Sequence, residues 1–91
     1  MLSRARVVIT GLVQGVFFRR EITYLAREIG VTGWTKNLMD GSVEVVAEGE
    51  KEALDRLIYF CRVGPDRARV EQVRVEWGTF KGEFRGFRIV R

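Results

Sequence analysis

The sequence has no histidine, a single cysteine (Cys61), a single proline (Pro65) and a single asparagine (Asn37). None of its apolar runs approaches the ~20 residues of a membrane-spanning helix. Each of these absences removes a class of chemistry. A chain without histidine can build neither a Ser-His-Asp nor a Cys-His nucleophile, nor a His-ligated metal site. One cysteine makes no internal disulfide and no thiolate cluster for zinc or iron–sulfur binding. The expectation is a chain that works without metal or cofactor. The opening residues Met1-Leu2-Ser3-Arg4-Ala5-Arg6 lack the apolar core of a secretory leader, so the expected compartment is the cytoplasm, with no membrane partner.

What is present suits one ordered domain over residues 1–91, because a chain of 91 residues supports a single core and its 46% hydrophobic content is enough to build one. Sixteen basic residues against twelve acidic leave +4, a bias toward anionic partners too small to choose between phosphates and nucleic acid. All the basic residues except Lys36, Lys51 and Lys81 are arginine, which fits a hot habitat and a GC-rich genome equally well.

Residues 4–10 alternate, with Ala5, Val7 and Ile9 on one side, and predict a half-buried strand. After Gly11-Leu12-Val13-Gln14-Gly15, apolar residues recur at Phe18, Ile22, Leu25 and Ile29, the spacing of one helical face, with Gly30 as the stop. Two β-rich runs, 31–37 and 42–48, flank Leu38-Met39-Asp40-Gly41, whose Asp-Gly pair signals a hairpin turn. From Glu50 the positions Leu54, Leu57, Ile58 and Cys61 predict a second helix, ended by Gly64-Pro65. Val73, Val75 and Trp77 then alternate as a fourth strand, and Phe87-Arg88-Ile89-Val90 forms a short fifth.

The order βαββαβ plus a terminal strand predicts an α+β, ferredoxin-like sandwich, an antiparallel sheet with two helices on one face. On that layout Val7, Ile9, Val43, Val45, Val73 and Val75 face the helices, while Arg6, Glu44, Glu48, Arg74 and Glu76 face solvent. Opposite charges on the open face predict cross-strand ion pairs, not a ligand platform.

Arg19-Arg20 stands out because it falls in the first turn of the first helix, where the macrodipole favours acidic side chains by ~0.3–1 kcal/mol per charge. An anion at that helix end would resolve the conflict, with backbone N–H groups and a guanidinium converging on it. Gly15 would let the backbone turn around such a ligand. Exposed arginines beside a turn glycine account for the same residues without any ligand. The segment matches neither the phosphate loop of nucleotide-binding proteins nor the dinucleotide fingerprint.

Gly11-Leu12-Val13-Gln14-Gly15-Val16-Phe17-Phe18-Arg19 resembles the GxVQGVxFR signature of the acylphosphatase family at every specified position. A second segment, Gly33-Trp34-Thr35-Lys36-Asn37-Leu38-Met39-Asp40-Gly41-Ser42-Val43-Glu44, resembles the family pattern GWVxNxxDGxVE, with Thr35 in place of the usual valine. Gly64 to Val70 and the closing Phe87-Arg88-Ile89 also resemble family features, so the likeness spans essentially the whole chain. The resemblance implies the same sandwich and the hydrolysis of acyl phosphates to a carboxylate and inorganic phosphate, without metal. It implies that the backbone of Gly15, Val16, Phe17, Phe18 and Arg19 holds the phosphoryl oxygens, that the Arg19 guanidinium caps them, and that Asn37 positions the attacking water.

The leaving group of that reaction is a carboxylate whose conjugate acid has a pKa of ~4, so no general acid is required in a chain that lacks histidine. A loose phosphoryl-transfer transition state asks little of the nucleophile, and an amide that orients water suffices. Inorganic phosphate or sulfate is the expected competing anion.

Other residues read more simply. Gln14 is expected to brace the loop, and Phe17 and Phe18 to pack. Trp34 and Trp77 read as core or sheet-edge aromatics, Asp40 and Gly41 as turn chemistry, Glu44 as an exposed strand charge and Cys61 as a small core residue. Asn37 taken alone reads as a turn residue. The competing function is a non-catalytic ferredoxin-like domain, nucleic-acid-binding or regulatory. RNA-binding modules of this shape stack bases on aromatics of the central strands, and strands one and three here carry none.

Overall fold

The computed structural model describes residues 1–91. The chain runs β1 (Leu2–Leu12), α1 (Phe18–Glu28), β2 (Thr32–Asn37), β3 (Val43–Glu50), α2 (Lys51–Val63), β4 (Arg69–Gly78) and β5 (Phe87–Ile89). The strands form one sheet in the order β4-β1-β3-β2-β5. Strands β1 to β4 pair antiparallel, as the α+β sandwich requires, and β2 and β3 form the hairpin around Asp40-Gly41.

β5 departs from the antiparallel expectation. It pairs parallel to β2, with Gly33 opposite Phe87 and Thr35 opposite Ile89. Alternation of side chains is the same in either direction, so a three-residue run carries no signal of its orientation. β1 extends beyond residues 4–10 in both directions, and a bulge between Thr10 and Gly11 hides its continuation from the period-two pattern. Gly11 is required there: at φ +124° a Cβ would lie 2.1 Å from the Arg69 carbonyl oxygen. β4 starts at Arg69, ahead of the clear alternation from Val73, because this edge strand leaves most of its residues exposed.

Both helices cover one face of the sheet. Ala5, Val7, Ile9, Val43, Val45 and Ala47 meet Phe18, Ile22 and Ala26 of α1 and Leu54, Leu57 and Cys61 of α2 in a continuous apolar core. Burying one such Leu or Ile stabilises the fold by about 1.5–3 kcal/mol. Phe18 and Phe60 close the seam between the helices edge to face, with ring centroids 5.9 Å apart. Cys61 sits at 0% exposure, and burial pushes its thiol pKa up to about 12, so it serves as a core residue.

On the opposite face the predicted ion pairs form. Arg6 bridges Glu44 at 2.6 Å and Glu76 at 3.0 Å. Two residues expected in solvent are nevertheless buried: Glu44 is 8% and Glu48 1% exposed. Arg6 covers the first. The segment between β4 and β5 folds back over the second, so that the Lys81 and Gly82 N–H groups donate to its carboxylate at 2.7 and 3.0 Å and Arg4 pairs with it at 3.0 Å. Strand alternation places Glu48 on the open face but says nothing of a distant segment returning to cover it.

Candidate active site

The loop between β1 and α1 is anchored by Val13, Val16 and Phe18, all buried in the core. Between these anchors the backbone turns twice into the left-handed region, at Gly15 (φ +74°) and Phe17 (φ +66°). For glycine this costs little; for phenylalanine it costs about 1–2 kcal/mol. Turns of this kind gather successive N–H groups into a concave nest. From Gly15 to Arg20 no N–H finds a backbone acceptor, and the first bond of α1 is Glu21 N–H to the Phe17 carbonyl at 3.1 Å. No side chain caps this helix end. A helix N-terminus in that state is suited to an anion.

Packing was expected of both loop phenylalanines and holds for Phe18 only. Phe17 is 59% exposed, because its left-handed backbone turns the ring away from the core. The two arginines that follow differ as well. Arg20 lies 4.2 Å over the Phe17 ring and 3.6 Å from Glu21, whereas the Arg19 guanidinium has no carboxylate within ion-pair distance.

Gln14 braces the loop as expected. Its side-chain amide donates to the Leu38 and Ser42 carbonyls at 2.8 and 2.9 Å, tying the loop to the β2–β3 turn. Asn37, the last residue of β2, stands at the start of that turn. Its Oδ1 is the one buried side-chain polar atom without a hydrogen-bond partner. The turn is served by Asp40 instead, which accepts the Ser42 N–H at 2.9 Å. The Ser42 hydroxyl and N–H together hold the Asp40 carboxyl below its ordinary pKa. A buried amide oxygen without a partner is costly, and it is an acceptor for a water or ligand.

Gly15, Phe17, Phe18, Arg19 and Asn37 line one cavity of about 280 Å³ with Val13, Arg20 and Ile89. Val16, expected with them, does not line it: its side chain is buried at 8% exposure and borders the neighbouring cleft with Phe17 and Arg20. Ile89 was not anticipated: the parallel pairing of β5 delivers it beside Thr35, two residues from Asn37, and nothing local in the sequence reports that pairing. A larger cleft of about 690 Å³ lies around Trp34 and Arg85, but no unpartnered buried polar side-chain atom faces it. The smaller cavity is the one that gathers the loop glycine, Arg19 and the unpartnered Asn37 oxygen. Trp34 and Trp77 lie outside it, and Trp77 stands on the edge strand at 45% exposure. No three His, Cys, Asp or Glu side chains cluster as a metal site would require.

The acylphosphatase family model matches residues 5–89. An acylphosphatase of Aeropyrum pernix is 52% identical over 89 residues, covering 97% of this chain and 88% of the relative. One from Pelotomaculum thermopropionicum is 49% identical over 87 residues, covering 96% and 95%. Among solved structures, the acylphosphatase of Bacillus subtilis superposes with a TM-score of 0.93 at 33% identity, covering 100% of both chains.

Proposed function

Since the chain belongs to the acylphosphatase family and is a hydrolase acting on acyl phosphates, we propose that it holds the phosphoryl group in the Gly15–Arg19 loop and orients the attacking water with Asn37. The observation that carries this reading is the meeting, in one cavity, of a run of unpartnered N–H groups, an unpaired guanidinium and a buried amide oxygen without a partner. Donors and acceptor are complementary to the two reacting species. The N–H groups and Arg19 are donors for phosphoryl oxygens, and the Asn37 oxygen is an acceptor for a water proton.

In this mechanism the loop N–H groups and the planar Arg19 fork bind the phosphoryl oxygens in the ground state. They follow the charge that spreads over those oxygens as the anhydride bond to the carboxylate lengthens. Water attacks phosphorus from the Asn37 side, in line with the departing carboxylate. That carboxylate leaves as a weak base and needs no proton, so the lack of histidine is no handicap. Because the donors are already in place, little reorganisation is needed during the reaction. No metal ion has a part in this scheme. Inorganic phosphate, the product, and sulfate bind the same donors and compete with substrate.

The test is steady-state hydrolysis of acetyl phosphate and of a phosphate monoester by the purified protein with a chelator present. Acyl phosphate hydrolysis should persist with chelator and be inhibited competitively by phosphate, while the monoester, whose alkoxide leaving group needs a proton, turns over far more slowly. Loss of activity on chelation, or equal turnover of the monoester, would refute the scheme.

A further inference from the structure

The cleft around Trp34 and Arg85 shares no lining residue with the proposed phosphoryl cavity. Its volume of about 690 Å³ lies within the ~300–1,000 Å³ typical of small-molecule sites. It forms where the segment from Glu83 to Arg88 passes the start of β2, and other elements fasten that segment. Arg4 pairs with Glu83 at 2.8 Å, the Gly33 N–H donates to the Gly86 carbonyl at 2.8 Å, and Arg27 of α1 donates to the Phe87 carbonyl at 2.9 and 3.2 Å. A wall held in this way needs little further ordering when a ligand binds.

Arg27, Arg85 and Arg88 line the cleft, and none has a carboxylate within ion-pair distance. Arg85 and Arg88 are exposed and make no hydrogen bond within the chain. Glu83, the one acidic lining residue, is taken up by Arg4. Uncompensated cations gathered in one concavity repel one another, and neither the packing of the fold nor hydrolysis in the other cavity calls for them. A ligand with two or more negative charges removes that repulsion, and guanidinium forks match phosphate oxygens. Two partly exposed rings, Trp34 and Phe84, stand among these arginines. Trp34 lies opposite Arg88 in the β2–β5 register, so ring and guanidinium share one face of the sheet. Aromatic rings beside arginines receive a planar base that carries phosphates. The strands that would hold the neighbouring bases of an RNA, β1 and β3, have no aromatic residue, and the Arg6–Glu44 pair crosses their open face, so the site suits one nucleotide and not a strand.

We propose that this cleft is a second, non-catalytic site that binds a free nucleotide with two or more phosphates, its base against Trp34 and Phe84 and its phosphates on Arg27, Arg85 and Arg88. The test is a titration with ADP at physiological ionic strength, followed by the fluorescence of Trp77→Phe, in which Trp34 is the remaining tryptophan. Saturating inorganic phosphate is present to occupy the β1–α1 loop. The signal should saturate, and adenosine and pyrophosphate should each bind about tenfold or more weakly than ADP, because each offers only part of the contacts. Arg85→Glu combined with Arg88→Glu should weaken ADP by about tenfold or more while acetyl phosphate hydrolysis stays near its native rate. Arg62→Glu combined with Arg74→Glu makes the same change of charge at exposed positions outside the cleft and should leave ADP affinity near native.

Absence of a saturable signal overturns the proposal, as does an equal loss of affinity in the two double variants, which would reduce the binding to general charge attraction. ADP binding that appears only without phosphate would place the nucleotide in the catalytic loop, and pyrophosphate binding as tightly as ADP would leave no role for the rings. Tighter binding of a single-stranded oligoadenylate than of ADP would make the ligand an RNA strand. Phosphate inhibition of hydrolysis is measured alongside: its absence would sink the phosphoryl reading, whereas the comparison of the two double variants decides the nucleotide site in either case.

Discussion

Arg19 and Asn37 serve different partners in the proposed reaction, so their variants should fail differently. Arg19→Ala removes charge that contacts the phosphoryl group in both ground and transition states. It should weaken phosphate inhibition and lower kcat together, and Arg19→Lys should restore little, because an ammonium cannot present two parallel donors. Asn37→Ala should lower kcat by roughly 10²-fold while leaving the phosphate inhibition constant near its native value. Denaturant midpoints give a second check. The Asn37 oxygen has no partner inside the protein, so its removal should cost little or no stability. A variant with native kcat and a lowered midpoint would make Asn37 a turn residue after all. At this scale the sequence was informative where residue type is tied to chemistry, as for the unpaired guanidinium and the bracing glutamine. It misled where exposure depends on backbone φ: nothing in the type of Phe17 reports its left-handed conformation.

Between elements, the segment that follows β4 is pinned to the open face by Glu48. Burial disfavours the charge on this carboxylate, but the Lys81 N–H, the Arg4 guanidinium and the Gly82 N–H outweigh it and hold its pKa below the ordinary 4.5. A depressed native pKa stabilises the fold at pH values above the unfolded value. That contribution is lost as pH falls below 4.5 and through the native value. Acid titration should therefore show Glu48→Gln losing less stability than the native chain over that interval. At neutral pH the same variant should be about 1–3 kcal/mol less stable, because one carboxylate oxygen that accepts N–H donors has become an amide donor. Equal acid profiles for the two proteins would show that Glu48 does not fasten the segment. Helices and hairpin were legible in the sequence because their period and turn chemistry are local. The covering of Glu48 and the direction of β5 were not, since both depend on residues tens of positions apart.

At the scale of the molecule, an anion that binds the folded loop and not the unfolded chain should raise stability by mass action. Phosphate at one hundred times its dissociation constant should add about 2.7 kcal/mol. For a chain of this size that is a rise in Tm on the order of 10 °C. Thermal melts across a phosphate series should show this rise in the native chain, and Arg19→Ala should need more phosphate to reach it. A Tm that does not move with phosphate in the native chain would mean that the loop holds no anion. The cooperative core makes such melts interpretable: β1, β3 and both helices contribute to one continuous apolar core, so loop and scaffold should unfold together.

By itself the sequence determined the periodic elements, the ferredoxin-like order in which they follow one another, and the two segments that resemble the acylphosphatase family. Each of these is written in residue types at short separations, where alternation, helical spacing and turn chemistry act. Only the tertiary structure decided that the two segments meet, through Gln14 spanning 24 and 28 positions to the Leu38 and Ser42 carbonyls. It alone decided that Asn37 would be left with a buried oxygen and no partner, and that Ile89 would close the cavity from a parallel strand. The physical reason is that burial and hydrogen-bond satisfaction are properties of everything packed around a group, and most of what packs around this site comes from elsewhere in the chain.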